Sequence, residues 1–430
     1  MNKLFLALLF FYFVAFSQSN GKEESSLFVD NLKSITDVMV YDVTSPVAAA
    51  RYYAYSTITA YELLSNFDSI NYPSLVKISK VRFRKIQPPK IELNHKPILI
   101  RYGMLLMSSK ILPSGVKLNS ELIKLQTNLS NNEIDYVNKQ VDEILKYVNN
   151  DGFNKLNTYR RYSPEIAPGS WQPTPPAFMS PVEPNWNTLK TIFLNEPDQF
   201  ITKPPIEFDM NESSEFYKLV SEVKDVVNQK NPKKNKIASF WDCNPYAISQ
   251  VGHLEFGLKK ISPGGHWIGI TGIACKKARI SYESTILIHA LVAATLHDAF
   301  ISCWDEKYRS NRIRPETVIR KYMDPLWTPI LQTPPFPEYT SGHSVASTAA
   351  AVILTSFFGE NFKFVDTTEI EFGLNRRKFN SFEIAAQEAS ISRFYGGIHY
   401  LDAIIEGQNQ GFKVGSYIVS KTKSLNLRLP

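Results

Sequence analysis

The sequence predicts an all-α protein, and three observations support this prediction. Helix-start signals recur along the chain, the clearest at Thr44-Ser45-Pro46, where a capping hydroxyl precedes a proline at the first helical position. Apolar residues recur at helical spacing, and no series of period-two strands with hairpin turns is present in the sequence. A proline-rich segment from Pro164 to Pro205 cannot be regular helix. We therefore expect a helical bundle core with additional N-terminal helices, crossed by one long irregular segment.

The expected helices cover both halves of the chain. The first runs from Pro46 to about Asn66. The others are expected over 97–112, 132–149, 213–229, 281–305, 342–359, 380–395 and 400–420. The apolar stretch over 286–301 contains His289, His297 and Asp298, so we interpret it as a buried helix and not as a membrane span.

The first residues are typical of a secretion signal. Lys3 supplies positive charge, an uninterrupted apolar run covers 4–16, and polar residues follow over 17–20. The run is shorter than the roughly 20 residues that a membrane span needs. We therefore expect residues 1–20 to be a signal peptide, and the mature protein to be exported, secreted or periplasmic, without a membrane span.

The composition indicates a globular protein of enzyme size. Of the 430 residues 43% are apolar, and the formal charge of +7 is spread along the chain without long runs of like charge, so no nucleic-acid partner is expected. We divide the mature chain into an N-terminal helical region with the proline-rich segment, 21–244, and a C-terminal helical region, 245–430, which together form one compact unit. The three cysteines, Cys243, Cys275 and Cys303, lack zinc-site spacing, which leaves three buried thiols or one disulfide as alternatives.

Three motifs of basic and small residues stand out in the C-terminal region, and each could contribute to an anion site. They are Lys307-x6-Arg314-Pro315, Ser341-Gly342-His343 and Ser392-Arg393-x5-His399. The second motif opens a helix of small residues, so free backbone N–H groups and the positive helix end lie beside the Ser341 hydroxyl. Arg314 and Arg393 offer planar forks of donors, and Lys307 offers a mobile point charge. Together they predict a site for a multiply charged tetrahedral oxyanion.

This ordered set resembles the three-part signature of the vanadium-dependent haloperoxidase and type 2 phosphatidic acid phosphatase superfamily. The signature covers 307–402, and the helical context with the stretch over 171–176 resembles bacterial secreted haloperoxidase-like proteins over most of the mature chain. Two positions depart from the family pattern. Thr340 stands where proline is usual, and Asp402 lies three residues after His399 where four is commoner, so Asp402 is not included in the predicted site.

The resemblance implies a vanadate cofactor and a role for each site residue. In a haloperoxidase, His399 would bind vanadium, His343 would be the acid–base group, and Lys307 would also polarise hydrogen peroxide. The vanadate oxygens would be held by Lys307, Arg314, Ser341, the Gly342 N–H and Arg393. The residues suggested for halide approach or for support of the site are Trp304, Phe336 and Asp298, the last of which is predicted to orient His343 or an arginine.

The same residues would also serve a phosphatase with phosphate in the pocket. His399 would then attack phosphorus and His343 would protonate the leaving alcohol, giving a phosphohistidine. Chain length, the lack of several membrane spans and the aromatic surroundings favour a haloperoxidase that oxidises iodide or bromide with hydrogen peroxide to hypohalous acid. A secreted phosphomonoesterase and a non-catalytic oxyanion-binding protein are the alternatives. The stretch over 264–267 is predicted to line the pocket entrance, and the family implies a homodimer.

Overall fold

Helices make up nearly all of the regular structure in the computed structural model of this chain. The structure describes residues 23–425 except 252, 253 and 258, so the predicted signal peptide lies outside the described residues. The helices in chain order are α1 (23–41), α2 (Pro46–Phe67), α3 (Lys96–Ile111), α4 (Asn119–Gln126), α5 (Asn131–Val148), α6 (Glu215–Asn228), α7 (Pro232–Phe240), α8 (Pro263–Ala278), α9 (Tyr282–Ser310), α10 (Pro315–Tyr322), α11 (Gly342–Phe358), α12 (Phe382–Tyr395) and α13 (Leu401–Lys423).

Two short antiparallel hairpins complete the regular structure of the described residues. β1 (Ile248–Val251) pairs with β2 (Leu254–Gly257), and β3 (Phe364–Asp366) pairs with β4 (Arg377–Phe379). Short 3₁₀ helices lie at Leu75–Lys77, Leu93–His95, Gly115–Leu118, Phe153–Thr158, Trp186–Thr188 and Ile370–Phe372. The all-α prediction is therefore confirmed, with the two hairpins as small elements that the sequence analysis missed.

The helix starts follow from local side-chain chemistry. The Ser45 hydroxyl accepts the N–H of Ala48 at 3.2 Å, and Pro46 occupies the first position of α2, as predicted. α5 begins with a capping box, in which Ser130 and Glu133 each bind the backbone N–H of the other. These caps accept hydrogen bonds from first-turn N–H groups that have no acceptor within the helix, and they fix where each helix begins.

α9 is the central helix of the core. Every side chain from Ser284 to Trp304 is buried, and the helix packs against α2, α8, α11 and α13. Among the described residues α9 is long and apolar enough to cross a membrane, but its most apolar part is wholly buried inside the protein. The prediction of a buried helix at this point is confirmed. The same hydrophobic core contains residues from Phe28 to Ile418, on both sides of the boundary predicted after residue 244. The division into two regions at that boundary stays a prediction.

Asp298 has a structural role that differs from the predicted one. It is fully buried in α9, and its two carboxylate oxygens accept the backbone N–H groups of Ile192, Phe193 and Leu194 at 2.7 to 2.9 Å. These residues belong to the proline-rich segment, which is irregular as predicted apart from one 3₁₀ turn and an isolated bridge. Asp298 therefore holds that segment against the central helix, and the prediction that it orients His343 or an arginine is wrong.

Two buried histidines of α9 make the stability of the protein depend on pH. Burial lowers the pKa of both His289 and His297 from 6.5 to about 4. Below pH 6.5 these histidines become protonated in the unfolded chain but stay neutral in the folded chain. Their contribution to the free energy of unfolding is therefore fully present above pH 6.5 and is lost as the pH falls towards 4. Each histidine contributes up to about 3 kcal/mol to this loss.

We therefore expect Tm, measured by calorimetry, to fall steeply as the pH is lowered through this range. The His289→Leu variant should show a smaller fall, because one of the two groups no longer titrates. An unchanged dependence of Tm on pH in this variant would contradict the account.

Candidate active site

The second and third predicted motifs line a cavity of about 30 Å³, and Arg314 of the first motif contacts His399 from behind its wall. Gly342 and His343 line it from the start of α11, Arg393 from the end of α12, and His399 from the loop before α13. A single water needs roughly 10–15 Å³ measured in this way, so the cavity suits a small ion better than a bulky organic molecule.

The start of α11 forms one wall of the cavity. Ser341 is the capping residue, and its hydroxyl accepts the N–H of Ser344 at 3.4 Å. The N–H groups of Gly342 and His343 lie in the first turn, where the helix itself supplies no acceptor. A Cβ atom at Gly342 would lie 3.7 Å from the Trp304 ring, so glycine keeps the space between the helix start and that ring open. This arrangement favours an anion.

The ring of His399 is oriented by a carboxylate. Its Nδ1 lies 2.7 Å from Oε1 of Glu338, and its Nε2 lies 3.2 Å from Nη1 of Arg314. Because the carboxylate accepts and the guanidinium donates, this network assigns the proton to Nδ1 and the lone pair to Nε2. Burial, with the positive charges of Arg314, Lys307 and Arg393, lowers the pKa of His399 well below 6.5. A neutral ring of this kind can bind a metal or act as a nucleophile.

Glu338 is the most important site residue that the sequence analysis missed. It is fully buried, and its Oε2 lies 2.7 Å from Nε of Arg312, which also binds both oxygens of Asp402 at 2.5 and 2.7 Å. Asp402 thus acts on Arg312, and Glu338 is the carboxylate that supports His399. The available signal was an acidic residue in the apolar, proline-rich stretch before Ser341, since a buried carboxylate needs a cationic or hydrogen-bonding partner.

Lys307 lies in the last turn of α9, and its ammonium group is fixed in place. It donates to the carbonyl oxygens of Pro337, Glu338 and Thr340 at 3.0, 3.0 and 2.6 Å. Burial lowers the pKa of Lys307 to about 7. All three N–H bonds therefore go to the loop before α11, which differs from the mobile charge that the sequence predicts. In this arrangement Lys307 acts on the site electrostatically and not by a hydrogen bond, and its positive charge helps to lower the pKa of His399.

Arg314 and Ser341 are buried beside the cavity. Arg314 donates through Nε to the carbonyl of Phe336 and through Nη1 to that of Ile398, both at 2.9 Å. The structure therefore brings all the predicted oxyanion residues together but places them in two layers. The residues in the cavity wall are Gly342, Arg393 and His399, and those that support the wall are Lys307, Arg314 and Ser341.

Arg393 has a donor to spare for a ligand. Its Nη1 donates to the carbonyl of Trp241 at 2.8 Å, and its Nη2 lies 3.6 Å from a carboxylate oxygen of Asp242. Its Nε is buried and has no hydrogen-bond partner among the described residues. A buried cationic donor without an acceptor is costly, so this atom points to an anion as the missing partner.

His343 shares the same carbonyl. Its Nε2 lies 3.0 Å from the carbonyl oxygen of Trp241, which assigns the proton to Nε2 and leaves Nδ1 as the acceptor. Burial and the charge of Arg393 lower the pKa of His343 well below 6.5. The ring is therefore neutral near pH 7 and can accept a proton from a bound molecule.

An aromatic wall faces the helix start. Trp304 and Phe336 line the cavity, with ring centroids 4.9 Å apart, and the Lys307 ammonium lies 5.2 Å from the Phe336 ring. Contrary to prediction, none of the residues 264–267 lines the cavity. Of the first turn of α8, only Pro263 does. The wall combines apolar surface with nearby positive charge, which suits a weakly hydrated anion.

Comparisons with known proteins agree with this geometry. A family model described as the second helical-bundle domain of VCPO matches residues 287–426, which contain all three motifs. Among curated protein sequences, no match is found. A crystal structure described as holo-type bacterial vanadium-dependent chloroperoxidase has the same fold, with a TM-score of 0.66, 15% identity, and coverage of 91% of this chain and 93% of the other.

A second solved structure is much more similar in sequence. It is described as that of the first bacterial vanadium-dependent iodoperoxidase, and it matches with a TM-score of 0.85 and 39% identity over 93% of this chain and 96% of the other. Identity at this level over nearly the whole of both chains, with two of the three motifs lining one cavity and the first motif behind its wall, shows that this chain belongs to the vanadium-dependent haloperoxidase family.

Proposed function

We propose that the protein is a vanadate-dependent iodoperoxidase that oxidises iodide with hydrogen peroxide. The observation that carries this proposal is the His399 ring, held by Glu338 so that its proton lies on Nδ1, at a cavity with an unpartnered Arg393 donor. The Nε2 lone pair, which accepts a hydrogen bond from Arg314 in this structure, would pass to vanadium. Iodide as the halide is supported by the 39% identical iodoperoxidase.

The donors around the cavity fit vanadate. The Nε of Arg393 and the first-turn N–H groups of Gly342 and His343 suit the oxygens of an anion, and Nε2 of His399 suits the metal. When bound, vanadate would act as a Lewis acid that makes hydrogen peroxide a better oxidant of halide, without a change in its own oxidation state.

The residues of the chain have separate tasks in this reaction. His343 would take a proton from hydrogen peroxide, because its ring is neutral and has an accepting nitrogen. Trp304 and Phe336 would exclude bulk water and admit iodide, which is large and weakly hydrated. Overall, iodide, hydrogen peroxide and one proton give hypoiodous acid and water.

The test is to load purified protein with orthovanadate in phosphate-free buffer and to compare its kcat/KM values for iodide, bromide and chloride. We expect iodide oxidation to rise in proportion to bound vanadium and iodide to have the highest kcat/KM. Robust activity without vanadium would refute the vanadate part of the proposal, and a higher kcat/KM for bromide would refute iodide as the preferred halide.

Substitution of Arg393 by lysine should weaken vanadate binding. Lysine keeps the charge but loses both the Nε donor and the fork that also binds the Trp241 carbonyl. Loss of one charge-assisted hydrogen bond costs about 1.5–3 kcal/mol, which is roughly a 10- to 100-fold rise in the vanadate Kd. Calorimetric titration measures this constant directly.

The matched control is Arg320→Lys, because Arg320 lies on α10 with a half-exposed side chain and does not line the cavity. Its vanadate Kd should equal that of the unaltered protein. If the two variants bind vanadate equally well, Arg393 does not contact the anion.

A further inference from the structure

We propose that Cys243, His266 and Glu369 form a zinc site beside the oxyanion cavity. This inference is independent of the proposed function, because none of the three residues is among those proposed to hold vanadate. Among the described residues, they are the one set of three His, Cys, Asp or Glu side chains whose potential ligand atoms all lie within 4.8 Å of one another.

The distances between the three ligand atoms suit one small cation. Nδ1 of His266 lies 3.4 Å from Sγ of Cys243 and 3.0 Å from Oε1 of Glu369, and Sγ lies 3.8 Å from the same oxygen. Tetrahedral Zn²⁺, with bonds of about 2.3 Å to sulfur and about 2.0 Å to nitrogen and oxygen, holds such atoms roughly 3.3–3.6 Å apart. The three side chains are therefore nearly in place for the ion.

The surroundings of His266 are those of a metal-binding histidine. Its Nε2 lies 2.7 Å from Oδ2 of Asp366, and Oδ1 of Asp366 accepts the N–H and the hydroxyl of Thr368 at 3.0 and 2.7 Å. A carboxylate at this ring nitrogen keeps a proton there, so Nδ1 is the nitrogen that would bind a metal, with loss of its own proton. Nδ1 faces Cys243 and Glu369, since both have a ligand atom within 3.4 Å of it.

Burial and charge favour a dication at this place. Cys243, His266 and Glu369 are 2%, 0% and 4% exposed, and Asp366 adds a second fully buried carboxylate. Two buried carboxylates are costly unless cations balance them, and a bound dication would also stabilise Cys243 as a thiolate. A borderline-soft ion such as Zn²⁺ suits this mixture of sulfur, nitrogen and oxygen ligands.

The site is linked to the oxyanion cavity. Cys243 lines that cavity, so a zinc ion bound to its thiolate would adjoin the cavity. The ring of Trp241 stacks on His266 with centroids 4.5 Å apart, and the Trp241 carbonyl binds His343 and Arg393. Zinc at Cys243 would thus stabilise the segment that positions two residues of the cavity wall.

The experiment measures zinc on the full chain without vanadate. The protein is incubated with Zn²⁺, dialysed and analysed by mass spectrometry for metals, and a parallel sample is loaded with Co²⁺. We expect equimolar zinc to be retained and the cobalt sample to show a thiolate charge-transfer band. Only trace zinc and no such band would overturn the proposal, and would show that His266 is held by its carboxylates alone. Because vanadium is absent, failure of the peroxidase proposal would leave this result unchanged.

Variants assign the ligands. Cys243→Ser should lose the cobalt band and retain little zinc, whereas Cys275→Ser, at another buried free thiol, should keep both. Should Cys243→Ser fail to fold, Asp366→Asn serves instead, since loss of a carboxylate that orients a metal-bound histidine weakens metal binding roughly 10- to 100-fold. A zinc affinity that is unchanged in Asp366→Asn, or a cobalt band that survives in folded Cys243→Ser, would contradict the assignment.

Discussion

The His399→Ala variant is expected to lose vanadate binding and all iodide oxidation above the level of the vanadium-free chain. His399 supplies the Nε2 lone pair that would bind vanadium, and alanine leaves no replacement ligand. Removal of a single preorganised contact to the reacting group commonly costs roughly 10²- to 10³-fold in rate, and we expect at least this loss here. Vanadium content and steady-state iodide oxidation are measured on the same sample.

A matched control and a rescue experiment distinguish this role from a structural one. The control is His95→Ala. His95 lies outside the cavity and contacts Glu133, so this variant should keep the activity. Added imidazole should restore part of the activity of His399→Ala, because it has the size and the nitrogen ligand of the ring that is removed. Full activity of His399→Ala, with bound vanadium, would contradict the assigned role.

The Glu338→Gln variant should lose both stability and vanadate affinity. Glu338 joins two buried partners, Arg312 and His399, through its two oxygens. Glutamine removes the charge that balances Arg312 and keeps only one acceptor oxygen, so it cannot accept from both partners. Breaking a buried ion pair costs about 3–5 kcal/mol, and loss of a carboxylate behind a metal-bound histidine costs roughly 10- to 100-fold in metal affinity. Urea unfolding and vanadate titration measure the two effects.

Asp402→Asn is the control for this prediction. The Asp402 side chain is 18% exposed, and Arg312 keeps its buried partner Glu338 when the aspartate charge is removed. Its losses in stability and affinity should both be smaller than those of Glu338→Gln. The reverse order would mean that Asp402 supports His399 more strongly than Glu338 does.

The sequence predicted those features that depend on neighbouring residues. The start of α2 at Ser45-Pro46 and the oxyanion site at Ser341-Gly342 were both visible, because caps and helix ends are local chemistry. The end of α9 was placed too early, at residue 305, because charged residues there interrupt the apolar pattern. The structure shows why the helix continues: Glu306 and Lys307 are buried with hydrogen-bond partners.

Features that depend on distant partners could not be predicted. Asp298 was recognised as a buried carboxylate, but its partners lie in the irregular segment around residue 193, which no periodic pattern places. Glu338 contacts His399 only because two loops meet at the cavity. Cys243, His266 and Glu369 are spread so widely along the chain that their spacing predicts no metal site, and only the fold brings them together.

The central claim is tested most directly by titration of vanadate into one phosphate-free preparation, with iodide oxidation and p-nitrophenyl phosphate hydrolysis measured side by side. We predict that iodide oxidation rises to a plateau at equimolar vanadate while hydrolysis stays negligible. Phosphate release that vanadate suppresses, without iodide oxidation at any vanadate concentration, would contradict the account and would identify the chain as a phosphatase.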